Sequence, residues 1–354
     1  GETPARDFQQ IQKRYGTGYN QQTGFDYTVL AGVVKAGQLE EEFRDTAARM
    51  STLRITEADL ERELPRVLNE LNNMYGRIPS LAGLNHVRQQ LHPIAQNGRH
   101  GGHAAHLETI TLQELQQVWH DYYRPNNATL VVAGRFEAAA AKELIAKHFG
   151  SIKAGKDPPA KPEKPQTKTG RPKRLEVTPL ARNARGVVSL GYAAPKPGAK
   201  NYPAFLLVVS RLYAQVGRGG FKPGMVPPLY YPPLDDPSTI ALQANIPDGG
   251  DPQVVVKDLE QRLQTALDAK VSAAEKRTAL QSWFMLGTID APQAMWAQNV
   301  YGLAFGAGRQ KQLEINGKEL AKAIRAVTEA DLKRLRKEVF APERRQTAIV
   351  EVQK

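Results

Sequence analysis

Glu63 and Glu70 stand seven residues apart in a stretch, 56–73, that reads as a helix, so both carboxylates project from one side, two turns apart. Placed beside an apolar stripe, such a pair suits one metal ligand and one neighbour that braces it. It equally suits a solvated helix face carrying Glu61, Arg62, Glu63 and Arg66, and spacing alone favours that face. A second cluster holds three imidazoles at a spacing of three, His100, His103 and His106. They would converge on a metal only from a helix. Gly101 and Gly102 argue for a flexible loop instead, with adventitious metal binding the most that the spacing offers.

The segment that must position the two glutamates is well signalled. Thr56 caps its first turn and Asp59 answers it, a variant of the capping box. Leu60, Leu64, Val67, Leu68 and Leu71 fall at helical spacing, and Pro65 removes one backbone donor and predicts a kink. Around it the periodicity predicts helices over 3–15, 38–50, 80–91, 111–123 (Thr111 and Glu114 forming a second box) and 138–149. It also predicts a polar extended run at 19–23, a strand over 25–34 and a buried strand over 128–134. The same order then returns, with strands at 184–192, 238–246 and 346–352. Helices are predicted at 202–215, 251–269, 272–286, 292–305, 317–325 and 328–338, and a Gly/Pro/aromatic loop at 217–233.

The 354 residues suit two domains. The parallel order of elements predicts an α+β fold of two related domains, 1–150 and 175–354, each a mainly antiparallel sheet with packed helices. They are joined by a basic Lys/Pro-rich linker, 151–174, which holds eight Lys/Arg and about half of the +12 net charge. That excess lies in an extended stretch without a single aromatic, which argues against nucleic acid as a partner. With no cysteine there is neither a disulfide nor a thiolate metal site, and no apolar run of membrane-spanning length occurs. The opening, GETPARDFQQ, has no basic or apolar leader segment and reads as a processed or cut chain.

Four stretches resemble one known family. The run from Gly16 through Asn20 and Thr23 to Asp26 and Thr28 is similar to the Gly-Asn-Ala-Thr…Asp-Thr segment of the insulinase/pitrilysin-type zinc metallopeptidases, the inverzincins. Glu63, Val67 and Glu70 resemble that family's Glu-x-x-x-Val-x-x-Glu. Thr111 to Gly134, with Tyr123, Arg124 and Pro125 between them, looks like its next helix–strand unit. Gly191, Tyr192, Pro195, Tyr202 and Phe205 resemble the opening of its second domain.

The resemblance implies half of a peptidase chamber, closed by a second half-barrel subunit or a second copy. It implies zinc as cofactor, with Glu70 as the third ligand and Glu63 supporting it, and an edge strand at Asn20, Gln21 and Gln22 to which a peptide adds. Tyr230 or Tyr231 matches the tyrosine that holds the substrate carbonyl, whereas Arg218 lies too far upstream to match its arginine partner. No H-x-x-E-H occurs in the chain, so the zinc histidines and the general base are expected outside it, before Gly1 or on another chain. The resemblance therefore implies a portion of a zinc endopeptidase that is inactive by itself; the alternative is a non-catalytic or structural half of a family complex. By analogy the location is the periplasm or cell envelope.

Overall fold

The computed structural model of the protein describes residues 3–4, 8–15, 19–24, 26–92, 102–157, 173–179, 184–217, 238–284 and 300–353. Its first half holds strands β1 (Thr3–Pro4), β2 (Tyr19–Thr23), β3 (Thr28–Gly32) and β4 (Leu53–Arg54). Its helices are α1 (Phe8–Tyr15), α2 (Leu39–Thr52), α3 (Glu57–Leu71), α4 (Pro79–Leu91), the short α5 (Ala104–Leu107), α6 (Leu112–Tyr122) and α7 (Ala138–Phe149). The second half runs β5 (Lys173–Val177), β6 (Val187–Ala193), α8 (Tyr202–Gly217), β7 (Thr239–Asn245), α9 (Pro252–Asp268) and α10 (Ala273–Phe284). It ends with α11 (Val300–Gln312), α12 (Gly317–Ala326), α13 (Glu329–Glu338) and β8 (Gln346–Val352).

Local signals set the helix starts. Thr56 and Asp59 close a capping box on α3, Thr111 and Glu114 do so on α6, and Thr328 and Asp331 on α13. Asp251 caps α9 ahead of Pro252, whose missing amide costs nothing in the first turn.

The main sheet has the order β5-β8-β6-β7; β6 pairs antiparallel with both neighbours and β5 is a parallel edge on β8. Side chains alternate across it. One face sends Val188, Leu190, Tyr192, Ile240, Leu242 and Ile349 into the large core shared with α8, α9, α12 and α13. The opposite face is covered by α4, a helix of the first half, whose Leu84 and Val87 pack on Ala241 and Ala348. Ala82 adds to this layer against Val177 and Val350. Contact this close needs two glycines: a Cβ on Gly83 would lie 2.3 Å from Ser189 Oγ, and one on Gly191 would lie 2.6 Å from Val87 Cβ. Two polar groups in the layer satisfy each other, since Gln243 Nε2 donates to Ser189 Oγ and to the Ser80 carbonyl, both at 2.7 Å. His92, just past α4, contacts the Ser238 carbonyl (3.0 Å) and Thr239 Oγ1 (2.9 Å) through Nε2, fixing that helix end to β7.

The exchange runs both ways. Helix α11 of the second half packs beside β3 of the first, and Gly308 and Val300 lie against Val131 and Gly134.

The predicted α+β architecture is therefore the observed one, with three local corrections. Residues 128–133 join no strand ladder among the described residues, and 128–130 are exposed, Leu130 at 45%. Val131 and Gly134 lie against Gly308 and Val300 of α11, and the predicted buried strand is not found among the described residues. The predicted helix over 3–15 is described only from Phe8, and Thr3–Pro4 instead pairs in parallel with Leu53–Arg54. The helix predicted over 292–305 is described only from Val300, the residues before it lying outside the described ones, and it runs on to Gln312.

Candidate functional site

Two elements carry the residues singled out by the sequence. The first is the β2–β3 hairpin. Tyr19 to Thr23 pair with Gly32 to Thr28, and among the described residues this sheet has two strands only. In an antiparallel pair alternate residues turn their N–H and C=O away from the partner, so β2 presents an edge that an added strand can complete. Gln21, Gln22 and Thr23 are exposed, as is Leu30 on β3 at 57%. Gly24 N–H donates to the Tyr27 carbonyl (2.8 Å) and closes the turn, and Gln22 Nε2 reaches Tyr27 Oη at 3.3 Å.

That turn is held from the other half of the molecule. Arg309 on α11 donates from Nη2 to both carboxylate oxygens of Asp26, at 3.0 and 3.2 Å, and from Nη1 to Gln312 Oε1 at 2.7 Å. Its guanidinium lies 4.0 Å from the Tyr27 ring centre. Phe305, one turn earlier on α11, meets the same ring edge-on at 5.9 Å. The paired side chains are 2% and 5% exposed. Asp26 stood in the motif that carried the family resemblance, but Arg309 was missed; a lone arginine after a run of small residues was the available signal.

The second element is α3. It runs unbroken through Pro65 to Leu71 and continues as a π-turn over Asn72–Gly76. Its apolar stripe ends in the buried Leu71. Thr56 holds Asp59 through its backbone N–H (3.0 Å) and hydroxyl, which, with the neighbouring Arg62 guanidinium, keeps the Asp59 carboxyl below its ordinary range. Glu63 is ion-paired with Arg62 (2.9 Å) and Arg66 (3.2 Å). Glu70 is exposed, and no hydrogen bond or ion pair among the described residues engages it.

The structure thus places Glu63 and Glu70 on one helix without bringing a third ligand to them. Among the described residues, no three His, Asp or Glu side chains come together as a metal-holding group. One exposed carboxylate does not fit a zinc ion, which takes three protein ligands in a catalytic site. His103 and His106 meet edge-on, ring centres 5.8 Å apart, around the short α5. His100, Tyr230, Tyr231 and Arg218 lie outside the described residues, as do most of the linker, 158–172, and most of the loop 217–233. The start of the linker is described. Lys156 N–H donates to the Asp121 carbonyl (3.1 Å) and Gly155 N–H to Asn126 Oδ1 (2.8 Å), so its first residues are anchored to the end of α6.

Residues 109–217 match the family described as "Peptidase M16 inactive domain", which covers α6, α7, β5, β6 and α8. No curated protein matches the chain. Three solved structures share the fold over nearly its whole length. A protease from Helicobacter pylori is 20% identical, with a TM-score of 0.73 over 97% of this chain and 84% of that one. A peptidase M16 inactive domain from Pseudomonas fluorescens is 14% identical, with a TM-score of 0.69 over 99% and 84%. The first half of the periplasmic protease PqqL from Escherichia coli is 15% identical, with a TM-score of 0.65 over 97% and 77%. The resemblance to the insulinase-type family stands on this matched segment and on the fold.

Proposed function

We infer that this chain, an M16-type fold with a matching inactive-domain segment, is the peptide-holding portion of a zinc endopeptidase, and that the zinc histidines and general base come from outside it. The observation that carries the reading is the β2–β3 hairpin, whose outer edge, with Gln21 and Gln22 exposed next to Asn20, belongs to a sheet with no third strand among the described residues. A peptide lying along that edge would gain main-chain hydrogen bonds from β2 and side-chain contacts at alternate positions. Glu70 would be this chain's one carboxylate toward a metal, Glu63 its neighbour, and Tyr230 or Tyr231 the group that meets the substrate carbonyl. Because the residues described do not assemble a zinc site, no hydrolytic step is assigned to them.

A second half-barrel subunit or a second copy would complete the chamber, and a cell-envelope location accords with PqqL, whose structure is described as that of a periplasmic protease. No described helix is long and apolar enough to cross a membrane. The competing reading, a non-catalytic half of an assembly, is favoured by the match to a domain described as inactive.

Proline scanning of β2 tests the peptide-holding reading. Of Gln21→Pro and Gln22→Pro, one removes an inward ladder amide and the other an outward one. The outward variant is expected to abolish binding of fluorescein-labelled β-casein, an unfolded polypeptide, while leaving the hairpin's amide exchange unchanged. Undiminished casein binding by both variants rules the edge out. Supplied with the subunit or segment that carries H-x-x-E-H, the chain should support peptide cleavage that Glu70→Gln abolishes. Cleavage that survives Glu70→Gln removes the ligand assignment.

A further inference from the structure

We propose that the Asp26–Arg309 pair is a positioning clasp, which fixes the attitude of the β2–β3 hairpin by its turn and ties it to α11, so that the free edge is presented ready to accept a strand. This rests on the peptide-holding reading above.

A hairpin of two strands is at best marginally stable alone, and its turn is normally its most solvated part. Here the order is reversed. The strands expose Gln21, Gln22, Thr23 and Leu30, whereas the Asp26 side chain in the turn is 5% exposed. The grip comes from one helix face. Phe305 and Arg309, four residues apart on α11, close on the Tyr27 ring, and Arg309 also reaches both oxygens of Asp26. Gln312 occupies the remaining fork of the guanidinium at 2.7 Å, which fixes its plane. A buried ion pair is a poor source of net stability, because desolvation offsets the attraction. Its directional fork instead fixes geometry, and that geometry spans 283 residues of sequence, from a turn in one half to a helix in the other. Tyr27 passes the constraint to β2 through its hydroxyl and Gln22.

The test uses the 354-residue chain and three variants, Arg309→Met, Arg309→Lys and the isosteric Asp26→Asn. Two readouts are taken on each: amide exchange of β2–β3 against that of β6–β7, and affinity for fluorescein-labelled β-casein. A positioning role predicts that Arg309→Met speeds hairpin exchange about tenfold and weakens casein binding about tenfold with β6–β7 unchanged, because only local opening is affected. Arg309→Lys, which keeps the charge and loses the fork, should fall between. Should Arg309→Met fail to fold, Asp26→Asn carries the same expectation. Exchange that rises equally in β2–β3 and β6–β7 marks a merely structural pair and overturns the proposal. So does a loosened hairpin with undiminished casein affinity. Failure of the underlying reading is distinguishable, because the parent chain would then not bind casein before any substitution is made.

Discussion

Asp121 shows how a single side chain can set a local boundary. It lies buried near the end of α6, 2.8 Å from Lys156 Nζ, with Gln117 Nε2 donating to Oδ1 at 2.8 Å and His120 Nδ1 at 3.2 Å. Hydrogen bonding to Lys156 first, then to Gln117 and His120, pulls its carboxyl down to about 2. A carboxyl that is more acidic folded than unfolded stabilises the fold above its unfolded range and loses that contribution as the pH falls through the folded value. The thermal midpoint of the parent should therefore exceed that of Asp121→Asn near neutrality. The gap should close as the pH drops from about 4 toward about 2, as read by calorimetry across a pH series. A gap that is constant down to pH 2 would mean that the Lys156 contact does not hold the carboxylate.

At the scale of elements, the contact between α4 and the main sheet is the most demanding. It depends on Gly191 facing Val87 and on Gly83 facing Ser189, where an added methyl has no room. Gly191→Ala should cost about 1–3 kcal/mol through overpacking. Val87→Ala in the same chain should recover part of it, because the two positions touch and their effects are not additive. Urea denaturation of the two single variants and the double variant measures the coupling, and strict additivity would show that the layer relaxes elsewhere. The capping boxes on α3 and α6 were legible in the sequence because a cap is decided within four residues. The absence of a strand over 128–134 among the described residues was not. Its β-branched, apolar letters state a preference, but a ladder needs a partner, and the segment packs instead on α11 through Gly308 and Val300.

Across the whole molecule the two halves exchange helices: α4 covers the second half's sheet, and α11 underlies the first half's hairpin and its extended segment. Such a layout couples the halves in folding. Amides of Leu84 and Val87 on α4 are expected to exchange with the same opening free energy as those of Leu190 and Leu242, although the segments lie in different halves. Hydrogen exchange resolved by mass spectrometry checks this, and an α4 that opens well before β6 would show the exchange to be superficial. The sequence predicted two related α+β halves and an extended linker from 151. Most of the predicted elements appear among the described residues, but 128–134 forms no strand there, and the first linker residues, through Lys156 and Gly155, are held at Asp121 and Asn126.

The sequence by itself determined what depends on near neighbours: where helices start, which faces are apolar, that no H-x-x-E-H is present, and which residues resemble a peptidase half. The tertiary structure alone decided which apolar face met which. It set α4 across the second sheet, left 128–133 without a ladder among the described residues, and joined Asp26 to Arg309. The physical reason is that periodicity and capping act over a few residues, whereas burial rewards any surface of complementary shape, however distant along the chain.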